Sequence, residues 1–247
     1  MGSVVHQLAK KTRASIVFHL DHGKDEKLVI TAIKSGWYGS VMFDGSALPY
    51  KKNLQITKKL VKLAHAHGVA VEAELGAVAG IEDLVSIKDR DAHLTNPEQA
   101  GEFVRETGCD ALAIAIGTKH GAYKFHDDCY LDFERLARIR KVITIPLVLH
   151  GASGVPAEVK KTAIEFGAKI SEAKGVSDSA IKKAVALGIN KINIDTDLRI
   201  AFNAGDREFL DEHPEIIDPR AILSAAKDEM IKVIRQKIRL FGSNNKI

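Results

Sequence analysis

The stretch Ile145–Gly154 reads IPLVLHGASG and decides the fold. It begins with a short apolar run, which is typical of a parallel strand that is covered on both faces. A histidine and a glycine follow the run without a break. Five further short runs stand out, and most of them are also rich in Val, Ile and Leu: Ser15–Asp21, Ser40–Gly45, Ala70–Gly76, Ala111–Gly117 and Lys191–Asp197. The sequence therefore predicts six strands of one kind.

Helical patterns separate these strands. Asn96–Gly108 begins with Asn-Pro, a capping residue followed by proline at the first helical position, and it ends at a glycine. Further helices are predicted at Asp25–Ser35, Asn53–His67, Asp132–Lys141 and Ser179–Gly188. Strand–helix alternation indicates βα units around a parallel sheet, either closed or open. The GxGxxG fingerprint of dinucleotide-binding open sheets is absent from the sequence, which favours the closed form.

We expect an α/β fold, a TIM (β/α)8 barrel, in a single domain that spans residues 1–247. Six strands are fewer than the eight that define this barrel, and Met1–Lys11 has the pattern of an amphipathic helix. We therefore expect the first two βα units of the barrel to be lacking here. A helical C-terminal tail at about 218–241 begins at Asp218–Pro219, and its apolar face packs on the barrel or forms a subunit contact.

Composition excludes several classes of protein. The net charge is +4, and the basic residues are scattered among acidic ones, so nothing indicates nucleic-acid binding. The two cysteines, Cys109 and Cys129, form no CxxC pair, which is typical of free thiols in a cytoplasmic protein. No apolar run reaches the roughly 18 residues of a membrane span, and no signal peptide opens the sequence.

Three histidines stand directly after predicted strands and next to a glycine: His22, His120 and His150. The carboxyl ends of parallel barrel strands meet at one mouth, where such barrels place their active sites. Three neutral imidazoles with one open position form a catalytic zinc site. We therefore predict metal ligation by these three residues together, although each alone would be a structural histidine more often than a ligand.

Four carboxylates accompany the histidines. Asp21 adjoins a predicted ligand and suits acid–base work on a bound oxygen. Asp44 and Glu74 are placed to bind a second metal position or to orient histidines. Glu82 lies in the glycine-containing loop after the third strand, where the residues alone favour an ordinary exposed acid over a lid residue.

The last two strands indicate phosphate binding. The loop His150–Gly154 offers backbone N–H groups and the Ser153 hydroxyl, and Asn193–Thr196 offers further donors one strand later. Barrels often bind phosphate with the loops after strands seven and eight. If the first two βα units are lacking, the last two predicted strands correspond to strands seven and eight of the barrel.

Seven motifs occur in order along the chain: HLDHG (His19–Gly23), SVMFDGS (Ser40–Ser46), VEAELG (Val71–Gly76), GIED (Gly80–Asp83), IGTKHGAYK (Ile116–Lys124), LVLHGASG (Leu147–Gly154) and KINIDTDLR (Lys191–Arg199). Together they resemble the class II, metal-dependent fructose-bisphosphate aldolases. The resemblance spans nearly the whole chain. It implies reversible cleavage of fructose-1,6-bisphosphate to dihydroxyacetone phosphate and glyceraldehyde 3-phosphate, a step of glycolysis and gluconeogenesis.

The resemblance also implies residue roles. His22, His120 and His150 would hold a catalytic Zn²⁺, with Asp44 and Glu74 at an alternative metal position. Asp21 would protonate the aldehyde oxygen during condensation, and Glu82 would remove the proton from dihydroxyacetone phosphate. The implied substrate contacts are Gly121, Gly151, Ser153, Asn193, Asp195 and Thr196. Family members bind a monovalent cation, Na⁺ or K⁺, beside Gly121 and Gly151, and they are cytoplasmic homodimers or homotetramers.

Other functions remain open on the sequence. Tagatose-1,6-bisphosphate aldolases resemble the same motifs and act on a sugar that differs in the stereochemistry of one hydroxyl. A zinc-dependent barrel hydrolase would also use histidines and carboxylates at strand ends. An inactive oligomeric scaffold is the non-catalytic alternative.

Overall fold

The computed structural model describes residues 1–76, 79–82, 85–87, 94–120, 131–170 and 175–246; for 79–82, 85–87 and 119–120 it describes the backbone alone. Two sheets occur in this part of the chain. The larger one is parallel and has the strand order β1-β2-β3-β6-β8-β9, and the smaller one has the order β5-β4-β7. The strands are β1 (His19–Gly23), β2 (Ser40–Phe43), β3 (Ala70–Leu75), β4 (Ala79–Glu82), β5 (Val85–Ile87), β6 (Ala111–Ile114), β7 (Lys119–His120), β8 (Leu147–Leu149) and β9 (Ile189–Ile192).

Helices connect and follow the strands of the larger sheet. The described chain contains α1 (Gly2–Ala9), α2 (Glu26–Lys34), α3 (Tyr50–Ala66), α4 (Pro97–Thr107), α5 (Phe133–Val142), α6 (Ala157–Glu165), α7 (Asp178–Ala186), α8 (Thr196–Glu212) and α9 (Pro219–Leu240). Among these helices, none has both the length and the apolar character needed to cross a membrane. The six predicted strands are thus confirmed as one parallel sheet with helical connections.

The larger sheet is strongly curved, and one contact between its two edges demonstrates this. Asp21 lies in β1, and Asn193 follows β9 directly, yet the Asn193 Nδ2 lies 3.0 Å from Asp21 Oδ1. In a flat sheet the first and sixth strands would lie about 24 Å apart, at roughly 4.8 Å per strand. The six strands therefore form a parallel half-barrel whose concave face brings distant strands together.

Side chains alternate between the two faces of the sheet, as the strand repeat requires. In β2, Val41 and Phe43 join the main core beneath the helices, whereas Met42 belongs to a small separate cluster with Ala113 and Val148. Burial of each large apolar side chain contributes about 1.5–3 kcal/mol, so the outer core supplies most of the stability. The inner face contains few apolar side chains, and polar residues take the remaining places.

Strand β3 shows how the inner face becomes polar. Val71, Ala73 and Leu75 join the outer core, so Glu72 and Glu74 between them face the concave side. Both carboxylates are buried. A sheet interior that contains two buried carboxylates needs partners for them, and those partners come from the neighbouring strands.

Two helices, α6 and α8, were not predicted from the sequence. The predictions relied on capping residues and on apolar residues at helical spacing. Pro156 and Asp195, before α6 and α8, make no side-chain cap hydrogen bond, whereas Asn96 accepts a hydrogen bond from Gln99 N before α4. A missing cap bond alone does not hide a helix, because α3 also lacks one and was predicted from its apolar spacing, although it begins at Tyr50 and not at Asn53. The predicted strand Lys191–Asp197 also extends too far, because β9 ends at Ile192 and α8 begins at Thr196.

Candidate functional site

The carboxyl ends of the strands in the larger sheet bring together most of the predicted site residues. Asp21 and His22 lie near the end of β1, Asp44 follows β2, Glu74 lies near the end of β3, and His150 follows β8. His22 has a φ of 43°, a left-handed conformation shared among described non-glycine residues only with Asn245. Such backbone strain persists where the surrounding structure fixes it, and it is frequent at functional sites.

His22 lies between two buried carboxylates. Its Nδ1 lies 3.1 Å from Asp44 Oδ2 and 3.7 Å from Glu74 Oε2. Asp44 also accepts hydrogen bonds from the backbone and the hydroxyl of Ser46, and Lys24 Nζ lies 3.5 Å away. Burial raises the pKa of Asp44, but the bonds from His22 and Ser46 and the Lys24 charge outweigh it and hold that pKa well below its usual range. Asp44 is therefore an anion at neutral pH.

Glu74 has a different environment from Asp44, although the two side chains share His22. It is 2% exposed, and its Oε2 has no hydrogen-bond partner within the described residues. Burial raises the pKa of Glu74 well above the usual value, and the negative charge of Asp44 raises it further. A buried acceptor without a donor costs about 1–3 kcal/mol, so this position favours a bound cation.

His150 is held by a carboxylate on the inner face. It is 1% exposed, and its Nε2 donates to Glu72 Oε1 at 2.8 Å. Lys191 Nζ donates to the other oxygen, Glu72 Oε2, at 2.6 Å. Burial raises the pKa of Glu72, but the hydrogen bond from His150 and the charge of Lys191 outweigh it and lower that pKa. The proton on Nε2 leaves Nδ1 of His150 as the nitrogen with a lone pair.

Asp21 of β1 and Asn193, which directly follows β9, complete this group. Asn193 Nδ2 donates to both Asp21 oxygens, at 3.0 and 3.2 Å, and lies 3.2 Å from His150 Nδ1. The Asp21 side chain is 46% exposed, so it can reach a molecule at the mouth of the half-barrel. Burial raises the pKa of Asp21, but the contact with His19 and the charges of His150 and His22 lower it to about 2.

Three overlapping groups of side chains in the described chain could hold a metal ion. The ligand atoms of Asp21, His22 and His150 lie within 4.8 Å of one another, as do those of His19, Asp21 and Glu72 and those of His22, Asp44 and Glu74. The rings of His22 and His150 are 4.5 Å apart and inclined by 70°. Imidazole nitrogens with carboxylate oxygens are ligands that Zn²⁺ takes in proteins. The donor set and the unpartnered Glu74 oxygen both fit a divalent metal.

Three predicted site residues lie partly or wholly outside this description. The backbones of Glu82 and His120 belong to the small sheet, in which Gly80 of β4 pairs with His120 of β7. The side chains of these two residues, and the whole of Gly121, lie outside the described residues. Their predicted roles stay predictions.

The predicted phosphate-binding residues lie beside the metal-binding groups. Gly151 follows His150 with a φ of 63°, in the left-handed region. Ser153 is buried, and its hydroxyl accepts a hydrogen bond from Asp195 N at 3.4 Å. Asp195 precedes α8, which begins at Thr196. Because Asp195 N donates to Ser153, the loop after β8 adjoins the N-terminus of this helix. Helix N-termini offer N–H groups and a positive dipole end to anions.

Sequence reasoning missed two links in this region. Glu72 had a detectable signal, because it lies one strand repeat before Glu74 and so shares its face. Lys191 was expected at the beginning of the last strand, whereas it lies next to the end of β9 and forms an ion pair with Glu72. A second buried ion pair joins Asp197 of α8 to Lys237 of α9, at 2.9 Å. No local pattern indicates that these two residues meet.

Comparisons with known proteins identify the family of the chain. The family model described as fructose-bisphosphate aldolase class-II matches residues 1–246. A fructose-bisphosphate aldolase of Thermus caldophilus is 48% identical over 240 residues, which are 97% of this chain and 78% of that protein. A fructose-bisphosphate aldolase of Helicobacter pylori strain 26695 is 43% identical over 247 residues, which are 100% of this chain and 80% of that protein.

A solved structure extends the similarity to the fold. The crystal structure of the YdjI aldolase from Escherichia coli K12 superposes with a TM-score of 0.71 and 34% sequence identity. The superposition covers 99% of this chain and 77% of that one. The match to the family model along almost the full length, together with these two levels of identity, shows that the chain belongs to the class II fructose-bisphosphate aldolase family.

Proposed function

We propose that this protein is a zinc-dependent aldolase that reversibly cleaves fructose-1,6-bisphosphate into dihydroxyacetone phosphate and glyceraldehyde 3-phosphate. One observation carries the proposal: the side-chain donor atoms of Asp21, His22 and His150 lie within 4.8 Å of one another, which brings the proposed proton-transfer residue beside two proposed metal ligands. A loop of phosphate-binding character, with the buried Ser153, follows His150 directly. A metal site beside an anion site suits a phosphorylated ketone substrate.

The metal ligands in this proposal are His22, His150 and His120. Asp44 and Glu74 provide a second position, which is supported by the Glu74 oxygen that has no donor in the described chain. Bound zinc would supply Lewis acidity toward the ketone and hydroxyl oxygens of dihydroxyacetone phosphate. The proposed monovalent cation, Na⁺ or K⁺, would lie beside Gly151 and Gly121.

Asp21 performs the proton transfer at the aldehyde oxygen. With a pKa of about 2 it is ionised at neutral pH, which is the form that accepts the hydroxyl proton when the carbon–carbon bond breaks. The reverse reaction returns that proton to the aldehyde oxygen from the same group. Asn193 orients Asp21 through both carboxylate oxygens. Glu82 exchanges the second proton, the one on the carbon of dihydroxyacetone phosphate.

Phosphate binding falls to the residues after β8 and β9. Gly151 and Ser153 offer N–H groups and a hydroxyl. Asn193 directly follows β9, Asp195 precedes α8, and Thr196 is the first residue of that helix. The 17 residues of α8 give this end a substantial dipole. A phosphate bound here would lie close to the proposed metal ligands, as a three-carbon substrate requires.

The wider organisation follows the same proposal. We infer that the curved sheet corresponds to six strands of a TIM (β/α)8 barrel in a single domain over residues 1–247. The contact of Asp21 with Asn193 supports a barrel-like curvature. We also infer a cytoplasmic homodimer or homotetramer, for which exposed apolar residues on α9 such as Leu223 and Ile238 would provide contact area.

The test is the initial rate of fructose-1,6-bisphosphate cleavage with and without a chelator, followed by addition of zinc. We expect chelation to abolish cleavage and zinc to restore it. His150→Ala should abolish both activity and zinc binding, whereas His213→Ala, at an exposed position on the surface, should retain both. Cleavage that persists in the chelated protein or in His150→Ala contradicts the proposal. Parallel rates with tagatose-1,6-bisphosphate decide between the two sugars.

A further inference from the structure

Gly154, in the loop between β8 and α6, is held through both of its backbone polar groups by one buried ion pair. Its N–H donates to Asp197 Oδ1 at 3.1 Å, and its carbonyl accepts from Lys237 Nζ at 2.7 Å. The same Lys237 nitrogen lies 2.9 Å from the same Asp197 oxygen. Two helices, α8 and α9, thus fix the peptide groups on both sides of one glycine.

We propose that Asp197 and Lys237 are positioning residues for substrate phosphate: they hold the loop Gly151–Gly154 in its phosphate-binding shape and connect it to the C-terminal helix. The inference rests on the proposed function, because it takes this loop to bind the phosphate of the substrate. Neither side chain needs to touch the substrate. Each acts through the backbone of Gly154.

Burial supports a specific role for this pair. Asp197 is 0% exposed and Lys237 is 4% exposed. Desolvation of two charges generally offsets their attraction, and apolar replacements of buried ion pairs are often neutral or stabilising. Asp197 Oδ2 also lacks a hydrogen-bond partner in the described part of the chain, so the pair is not optimised for stability alone. Its bonds to Gly154 give it a structural consequence that apolar side chains could not provide.

The opposite side of the loop is equally confined. Val176 N donates to Ser153 O at 3.1 Å. A Cβ on Gly154 would collide with the carbonyl oxygen of Val176, and a Cβ on Gly175 would collide with that of Ser153. The loop is therefore packed between backbone on one side and the ion pair on the other. Loss of the ion pair would leave it room to move only toward α8 and α9.

Asp197 also links the two phosphate-binding segments. It lies two residues after Asp195, whose N–H contacts the Ser153 hydroxyl at 3.4 Å. The start of α8 thus contacts the Ser153 hydroxyl through the backbone N–H of Asp195, and it contacts the N–H of Gly154 through the side chain of Asp197. A displacement of one segment changes the distance between donors that a single phosphate must contact at once. In catalysis a misplacement of about 1 Å can cost about a hundredfold in rate.

The experiment compares Lys237→Met, the double variant Asp197→Asn with Lys237→Met, and the control Lys232→Met. Lys232 lies on the same helix, but it is an exposed residue that pairs with Glu229 at the surface. The measurements are kcat and KM for fructose-1,6-bisphosphate, inhibition by inorganic phosphate, zinc content and thermal unfolding. Zinc content and the kcat of the control should equal those of the wild type.

In the single and the double variant, both of which carry Lys237→Met, we expect KM and the inhibition constant of phosphate to rise together by about tenfold or more. The change in kcat should be much smaller. The double variant separates positioning from charge balance. It leaves no unpaired charge, and its Asn can still accept from Gly154 N, but nothing donates to Gly154 O. If the pair only balances charge and stabilises the fold, the double variant should have the stability and the KM of the wild type. That result would overturn the inference. Recovery of stability with a raised KM supports it.

If Lys237→Met alone does not fold, the double variant decides the question, because Asp197→Asn removes the unpaired buried charge. Wild-type protein without cleavage activity would contradict the proposed function instead. In that case calorimetric titration with inorganic phosphate still tests the inference, because the two variants must bind phosphate more weakly than Lys232→Met does. Equal phosphate binding by all three variants overturns it.

Discussion

Glu72 has a larger part in the site than its position in the middle of a strand indicates. It accepts the Nε2 proton of His150 with one oxygen and the Lys191 ammonium with the other. Carboxylates behind a metal-binding histidine fix its tautomer and ring orientation, and they increase the basicity of the opposite nitrogen. In this arrangement Nδ1 of His150 is the nitrogen that a metal would use.

Glu72→Gln should therefore weaken zinc binding by about tenfold to a hundredfold while the fold is retained. An amide of the same shape keeps the packing but removes the negative charge that His150 faces. Competition for zinc with a chromogenic chelator measures the effect without reference to activity. Glu98→Gln is the matched control, since Glu98 pairs with Arg138 at the surface. If Glu72→Gln and Glu98→Gln bind zinc equally well, Glu72 does not act through His150.

At this scale the sequence could predict residues that follow strands but not those that meet across the concave face. His22, Asp44 and His150 are each recognisable because a polar residue ends an apolar run. Glu72 and Lys191 are 119 residues apart, and their contact depends on the curvature of the sheet. Curvature is a property of the assembled strands, so no local pattern of residues encodes it.

Single capping residues fix where several of the predicted helices begin, and α4 is an example. Asn96 accepts a hydrogen bond from Gln99 N at 2.9 Å, and Pro97 occupies the first helical position of α4. Substitution of Asn96 therefore tests the contribution of this cap bond to helix stability.

Asn96→Ala should lower the free energy of unfolding by about 1 kcal/mol, because the N–H of Gln99 loses its acceptor. Gln99→Ala, at an exposed position in the first turn of α4, should change it by less than about 0.5 kcal/mol. Urea unfolding followed by circular dichroism measures both variants. Equal stabilities would mean that the cap bond contributes nothing and that packing alone fixes the start of α4.

The helices that escaped prediction show the complementary case. The N-cap residue of α8, Asp195, makes no side-chain cap bond, and Asp197 in its first turn is committed to Gly154 and Lys237. The predicted strand Lys191–Asp197 included the first two residues of α8, Thr196 and Asp197. The local pattern of residues therefore does not separate the end of β9 from the beginning of this helix.

At the scale of the whole molecule, a bound cation would contribute to stability, because it would neutralise buried carboxylates on the concave side of the larger sheet. Asp44 and Glu74 are both buried beside His22, and Glu74 Oε2 lacks a donor within the described residues. A metal that binds only the folded state stabilises it by mass action, by about 4 kcal/mol at a concentration a thousandfold above the dissociation constant. Chelation removes this contribution.

We therefore expect a chelator to lower the melting temperature by several degrees, and zinc to restore it. Differential scanning calorimetry of the wild type and of His150→Ala measures the effect. The variant should melt at the same temperature with and without the chelator, since it lacks a ligand. Wild-type protein that shows no response to chelation would refute a resident metal in this group of side chains.

The hydrogen bond between Asp21 and Asn193 also has a consequence for the order of folding. It joins residues 172 positions apart in the chain. Contacts of such separation form slowly, because the entropy of closing a long loop must be overcome before they contribute. During synthesis the N-terminus emerges from the ribosome first, so Asp21 and His22 are present long before Asn193 is added. Catalytic competence would then arise in the final stage of folding, and a shortened chain that stops before β9 would lack the amide that donates to both oxygens of Asp21.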